Sequence, residues 1–202
     1  MMYNTNMILN KYFPTIIGTA INPNHNSVRE DIIKKCHDLK NNVASGGENW
    51  ISNSTYNTIG THDVFSEPMF SPINDFVIQE VKQYCELLDI RKDFINYKPV
   101  DSWFNIYDKG DYQEFHHHDN SVLSVVYFLK TSKNSAKIHF KNPYIDMKAP
   151  LYNQYTSDTF ERIYFEPVEG LMLIFRGHLE HCVEKQIDEE NRISIAYNFN
   201  NA

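Results

Sequence analysis

The spacing of apolar positions along this chain changes part-way. In SVREDIIKKCHDLKNN, from Ser27, residues Ile32, Ile33, Cys36 and Leu39 recur at helical spacing. A Ser in the N-cap slot and acids in the first turn complete the signature of an amphipathic helix. SPINDFVIQEVKQYCELLDI, from Ser71, repeats the pattern with Phe76, Val77, Ile78, Val81, Tyr84, Leu87 and Leu88. Between them, residues 43–69 are rich in Gly, Ser, Asn and Thr and read as loop. After about residue 100 the period becomes two. SWFNIY (102–107), VLSVVYFLK (122–130), AKIHF (136–140), RIYFEP (162–167), LMLIF (171–175) and RISIAYNF (192–199) read as strands, separated by the turn signals DKGD, DNS, KNP, PVEG and DEEN. Helices followed by short strands predict a mainly β fold with flanking helices. The expected form is an antiparallel sandwich or jelly roll with the N-terminal helices packed on one sheet. We read residues 1–202 as a single domain, with 1–99 a helical and loop support region and 100–202 the jelly-roll core.

Charge and composition narrow the function. The formal net charge is −7, and a chain with no basic run offers little to nucleic acid by phosphate neutralisation. Cys36, Cys85 and Cys182 are odd in number and form no C-x-x-C, which suggests free thiols in a reducing cytoplasm. The start, MMYNTNMILNKYF, lacks a basic segment followed by an apolar one, so no secretory signal is expected. The longest apolar run, LMLIF, is too short to span a bilayer. The expected location is cytoplasmic, with no membrane partner.

Candidate chemistry concentrates in QEFHHHDNS, residues 113–121. His116 and His118 form an H-x-H pair, and His117 and Asp119 an overlapping H-x-D pair. Residues two apart on an extended strand share a face, so either pair could hold one ion. A further histidine, His181, follows LMLIF in LIFRGHLEHCVE, and is expected at a strand end facing the sheet core. Two ligands from one short turn and one distant His leave three coordination positions open, as in the facial triad of non-haem iron oxygenases. Eleven residues after His181, Arg192 opens RISIAYN. Arg192, Ser194, Ala196 and Asn198 alternate onto one face of that strand, with Ile193, Ile195, Tyr197 and Phe199 on the other. An Arg inside a sheet needs an anion, because an unpaired buried guanidinium is very costly. A bidentate Arg beside a Ser hydroxyl suits the distal carboxylate of a dicarboxylate such as 2-oxoglutarate.

On these residues the chain resembles the Fe(II)/2-oxoglutarate-dependent oxygenases, near the prolyl-hydroxylase-like branch found in phages and bacteria. The matching stretches are SWFNIYDKGDYQEFHHHDNSVLSVVYFL and YFEPVEGLMLIFRGHLEHCVEKQIDEENRISIAYN, with a weaker likeness in YFPTIIGTA. The resemblance implies a double-stranded β-helix, Fe(II) and 2-oxoglutarate as cofactors, O2 as co-substrate, and hydroxylation of a C–H bond. A small-molecule or peptide substrate is implied, with a prolyl or other protein residue foremost. If the gene is phage-borne, the location becomes the host cytoplasm. In that branch the third motif position is often His followed by Pro, which implies His116, His118 and His181 as the metal ligands. Asp119 then takes the Pro position, where Asp119-Asn120-Ser121 is good turn chemistry. His117, Asp119 and His181 form the competing set. Arg192 and Ser194, with Tyr107 from the strand face of Trp103 and Asn105, are the expected 2-oxoglutarate contacts. Phe128 stands where some relatives carry Tyr. Asn198, on the Arg192 side, is expected to approach the substrate, and His178 to sit at the rim. The loops 43–69 and 141–160 are expected to form the pocket walls. A non-catalytic jelly-roll metal- or ligand-binding module is the alternative function, and a three-histidine cupin-like enzyme ranks below it because it leaves Arg192 and Ser194 unexplained.

Overall fold

A computed structural model describes residues 11–48, 50–144 and 150–202. Residues 1–10, within the start scanned for a signal, and 145–149 of the expected 141–160 wall lie outside the described residues. In chain order the elements are β1 (Gly18–Ile21), α1 (His25–Asn42), β2 (Tyr56–Asn57), α2 (Ser71–Leu87), β3 (Asp101–Tyr107), β4 (Gln113–His116), β5 (Leu123–Lys130), β6 (Ile138–Lys141), β7 (Arg162–Phe165), β8 (Leu171–Arg176), β9 (His181–Val183) and β10 (Arg192–Phe199). The strands form a larger antiparallel sheet, β1-β8-β5-β10-β3-β2, and a smaller one, β4-β9-β6-β7. Phe128, Leu173 and Phe175 of the larger sheet meet Ile138 and Phe140 of the smaller. That apolar layer is what holds a jelly roll shut.

The helices cover the other face of the larger sheet, as expected. Ile32, Cys36 and Leu39 of α1 and Ile73, Val77, Val81 and Tyr84 of α2 form one stripe per helix. Both stripes pack with Phe104, Ile106, Val125, Ile193, Ile195, Tyr197 and Phe199. Central strand β10 is buried at every residue because it divides its side chains between two interiors. Its odd-numbered residues enter the helix-covered core and its even-numbered ones face the smaller sheet. The period-two reading of RISIAYNF is therefore correct.

The start of α1 differs from the sequence reading. Ser27 is not the cap; the helix begins at His25, with Asn24 in the cap position. Asn22 Oδ1 accepts the Asn24 amide at 2.9 Å, and Pro23 fixes the backbone between them, so the turn closes earlier. The extra turn brings His25 into the interior, where its Nδ1 shares a 2.7 Å hydrogen bond with Tyr127 Oη. Asn22 Nδ2 donates to the same hydroxyl at 3.2 Å, and Arg29 pairs with Glu169. Gly170 is required below this cluster. Its φ is +79°, and a Cβ there would come within 2.9 Å of His25 Cβ. No helix among the described residues is long and apolar enough to cross a membrane. All three cysteines are free thiols, as expected.

Candidate metal centre

The fold assembles three of the histidines singled out from sequence. His116, His118 and His181 each offer a ring nitrogen, and these atoms all lie within 4.8 Å of one another. Register explains the closest pair. β4 and β9 are antiparallel neighbours with His116 directly opposite His181, and their rings stand 4.2 Å apart between centroids. His181 thus opens a strand of the smaller sheet and does not end a strand, as the sequence reading supposed. His118 reaches the cluster by a different route from the one expected. It lies beyond the end of β4, so no extended strand places it beside His116. Its backbone N–H instead donates to Gly177 O at 2.8 Å, and the Ser121 N–H donates back to His118 O at 3.1 Å. The loop closes through Asp119 and Asn120, the turn residues recognised in the sequence. His117 and Asp119 point outward and pair with each other, Nε2 to Oδ1 at 2.7 Å, both side chains being solvent-accessible.

Gly177 is the tightest point of this loop. A Cβ there would lie 2.2 Å from Ser121 O and 3.0 Å from His118 O, both rigid backbone atoms. Gly177→Ala is therefore expected to destabilise the protein by about 1–3 kcal/mol, as overpacking commonly does. It should also displace His118, lowering Co(II) affinity. Denaturant unfolding and Co(II) titration check both effects; wild-type values in both would contradict the packing argument.

Burial favours the neutral form of all three imidazoles, and hydrogen bonds orient two of them as donors. His116 Nδ1–H donates to Glu114 O and His181 Nδ1–H to Leu179 O, each at 2.9 Å, which leaves Nε2 of both rings with a free lone pair. Burial pushes the His118 pKa down to about 4, helped by neighbouring His116 and His117. Burial also lowers His116, and it takes His181 well below the usual imidazole range. His181 is packed between Phe140 and Phe175, with centroid distances of 5.8 and 4.8 Å.

Arg192, Ser194 and Tyr107 line the same cavity as the histidines, together with Trp103, Asn105 and Gln113. Arg192 is fully buried, and none of its three guanidinium nitrogens has a hydrogen-bond partner. The rings of Tyr107 and Phe128 stack about it, at 4.7 and 5.1 Å from its central carbon. The ring faces stabilise the cation, and the Tyr107 hydroxyl is a polar neighbour that favours its charged form. Burial lowers the Arg192 pKa and raises that of Tyr107, so the cavity holds a cation beside a neutral phenol. The donor set fits a divalent ion on one side and a small dianion on the other.

Two features of this site were not anticipated. Trp50, from the polar 43–69 loop, lines the cavity with its ring 6.2 Å from that of His116. Glu114 holds that loop, its carboxylate accepting the Ile51 and Ser52 amides at 2.9 and 3.2 Å. Burial alone would raise the Glu114 pKa, but hydrogen bonds from Ser52 and Ile51 more than offset it and leave the carboxyl below its usual range. A lone Trp among Gly, Ser and Asn was the sole available signal. Asn198 bonds Ser124 and faces His118. His178 is exposed, in keeping with a rim position.

Residues 101–198 match the model of a family described as putative 2OG-Fe(II) oxygenase. Comparison with curated proteins finds no match. Among solved structures, the chain is similar to a Pseudomonas putida prolyl-4-hydroxylase at 15% identity and TM-score 0.64, over 93% of this chain and 94% of that one. A Trichoplax adhaerens prolyl hydroxylase, in complex with a hypoxia inducible factor peptide fragment, is similar at 13% identity and TM-score 0.62, over 91% and 83%. The viral collagen prolyl hydroxylase from Paramecium Bursaria Chlorella virus-1, in a 2OG complex, is similar at 11% identity and TM-score 0.56, over 91% and 94%.

Proposed function

We propose a reaction for this chain from the premise that it is a 2OG-Fe(II) oxygenase with a prolyl-hydroxylase-like fold: hydroxylation of a C–H bond, with a prolyl or other protein residue as the foremost substrate. The observation that carries it is the bare, fully buried Arg192 guanidinium in the cavity that His116, His118 and His181 enter. A module that binds a metal alone leaves that cation without a partner. His116, His118 and His181 would hold the metal through neutral ring nitrogens. Arg192 would grip the distal carboxylate of 2-oxoglutarate by paired charge-assisted hydrogen bonds, with the Tyr107 and Ser194 hydroxyls beside it. When bound, Fe(II) and 2-oxoglutarate supply the activation of O2: one oxygen atom enters the substrate C–H bond and the other enters succinate as CO2 leaves. Trp50 and Trp103 would close the cavity to bulk water, strengthening the Arg192 contact. The peptide bound by the Trichoplax neighbour supports a polypeptide substrate here.

Anaerobic titration with Fe(II) and 2-oxoglutarate tests the site through its visible charge-transfer band. A band in wild type is expected, abolished by His118→Ala and spared by Asp119→Ala. The reverse pattern would move the ligands to His117 and Asp119. Wild-type protein that binds iron but forms no band would sink the 2-oxoglutarate assignment.

A further inference from the structure

We infer that Asn198, braced by Ser124, is a positioning residue that selects the metal-binding tautomer of His118; this rests on the three-histidine reading above. Two of the three imidazoles have backbone carbonyls on Nδ1, at Glu114 and Leu179. A carbonyl only accepts, so those rings carry their proton on Nδ1 and present Nε2. His118 sits on a loop outside the sheets and lacks such a carbonyl among the described contacts. The group facing its Nδ1 is the Asn198 side-chain amide, with Nδ2 at 3.4 Å.

That amide is anchored on the buried central strand β10. Asn198 and Ser124 are directly paired across β10 and β5, and both are buried. Ser124 Oγ donates to Asn198 Oδ1 at 2.9 Å. With Nδ2 towards the ring, Nδ1 must accept, the His118 proton moves to Nε2, and the ring has no lone pair for a metal. Turning the amide over exchanges two groups of nearly equal size. Oδ1 then accepts His118 Nδ1–H, and Nδ2 donates to Ser124 Oγ, since a hydroxyl serves as donor or acceptor. Nε2 is left bare. All three ligands then have an acceptor behind them, and the loop-borne one takes its acceptor from the central strand. Outer partners of this kind commonly contribute 10–100-fold to metal affinity.

The test uses Co(II) titration of the full-length protein by its d–d absorption, with long-range 1H–15N NMR of the Zn(II)-loaded form reporting the His118 tautomer. Asn198→Ala should weaken Co(II) binding by about tenfold. Asn198→Asp, whose carboxylate accepts the same proton without turning, should restore it and keep the proton on Nδ1. Ser124→Ala, a milder change, should shift affinity in the same direction as Asn198→Ala. Wild-type affinity in Asn198→Ala, or an Asn198→Asp variant as weak as the alanine, would overturn the assignment. His118→Ala separates the two readings: undiminished Co(II) affinity there overturns the three-histidine site itself, whereas lost affinity beside an unaffected Asn198→Ala overturns only the role of Asn198.

Discussion

His181→Ala is expected to lower Fe(II) affinity by more than about 100-fold and to abolish turnover. Loss of a residue that merely supports a ligand costs 10–100-fold, so loss of a ligand should exceed that range. His181 is the most deeply buried of the three histidines, and its ring is held between Phe140 and Phe175 with Nδ1 committed to Leu179 O. Truncation also leaves a void between two aromatic rings, so the variant should unfold at lower denaturant concentration. Calorimetric Fe(II) titration under anaerobic conditions reads the first effect, and His178→Ala is the control. His178 is exposed three residues away and should bind iron as wild type does. Retained iron in His181→Ala would remove the residue from the ligand set.

Arg192→Met is expected to act with opposite signs on binding and on folding. Breaking a buried charge pair by removing one partner costs about 3–5 kcal/mol, which predicts a loss of 2-oxoglutarate affinity of at least roughly 10²-fold. Without 2-oxoglutarate, the same substitution replaces an unpartnered buried cation with an apolar chain between the rings of Tyr107 and Phe128. Exchanges of buried charge for packed apolar groups are often neutral or stabilising. The variant should therefore melt at the wild-type temperature or above it. Adding 2-oxoglutarate with a metal should raise the wild-type melting temperature by mass action and leave the variant unmoved. A variant that melts lower and still responds to 2-oxoglutarate would place the carboxylate elsewhere.

The parts of this molecule legible in its sequence are those where one physical rule dominates. α2 carries its stripe at regular spacing, and β10 alternates between two interiors, so both are found where periodicity puts them. β1, β2, β4 and β9 were not legible, whereas β6 and β7, also four residues long, stood out because apolar and aromatic residues dominate AKIHF and RIYFEP between clear turn signals. β9 matters most, since pairing His181 with His116 is a fact of register between strands 65 residues apart. The choice between H-x-H and H-x-D could not follow from strand alternation either, because His118 lies outside the strand. It is held by Gly177, whose small size shows its purpose only when Ser121 and His118 are packed against it. Trp50 and Glu114 belong to the same class of contact. Their roles arise from segments more than 60 residues apart meeting, and no local pattern records that.

Glu114 also ties the cavity roof to its floor. Its carboxylate clamps the 51–52 backbone beside Trp50, while its own carbonyl fixes the His116 imidazole. Moving that backbone means breaking two charge-assisted hydrogen bonds on the residue whose carbonyl also orients the His116 ring. The loop that carries Trp50 and the imidazole of His116 are thereby held by one residue.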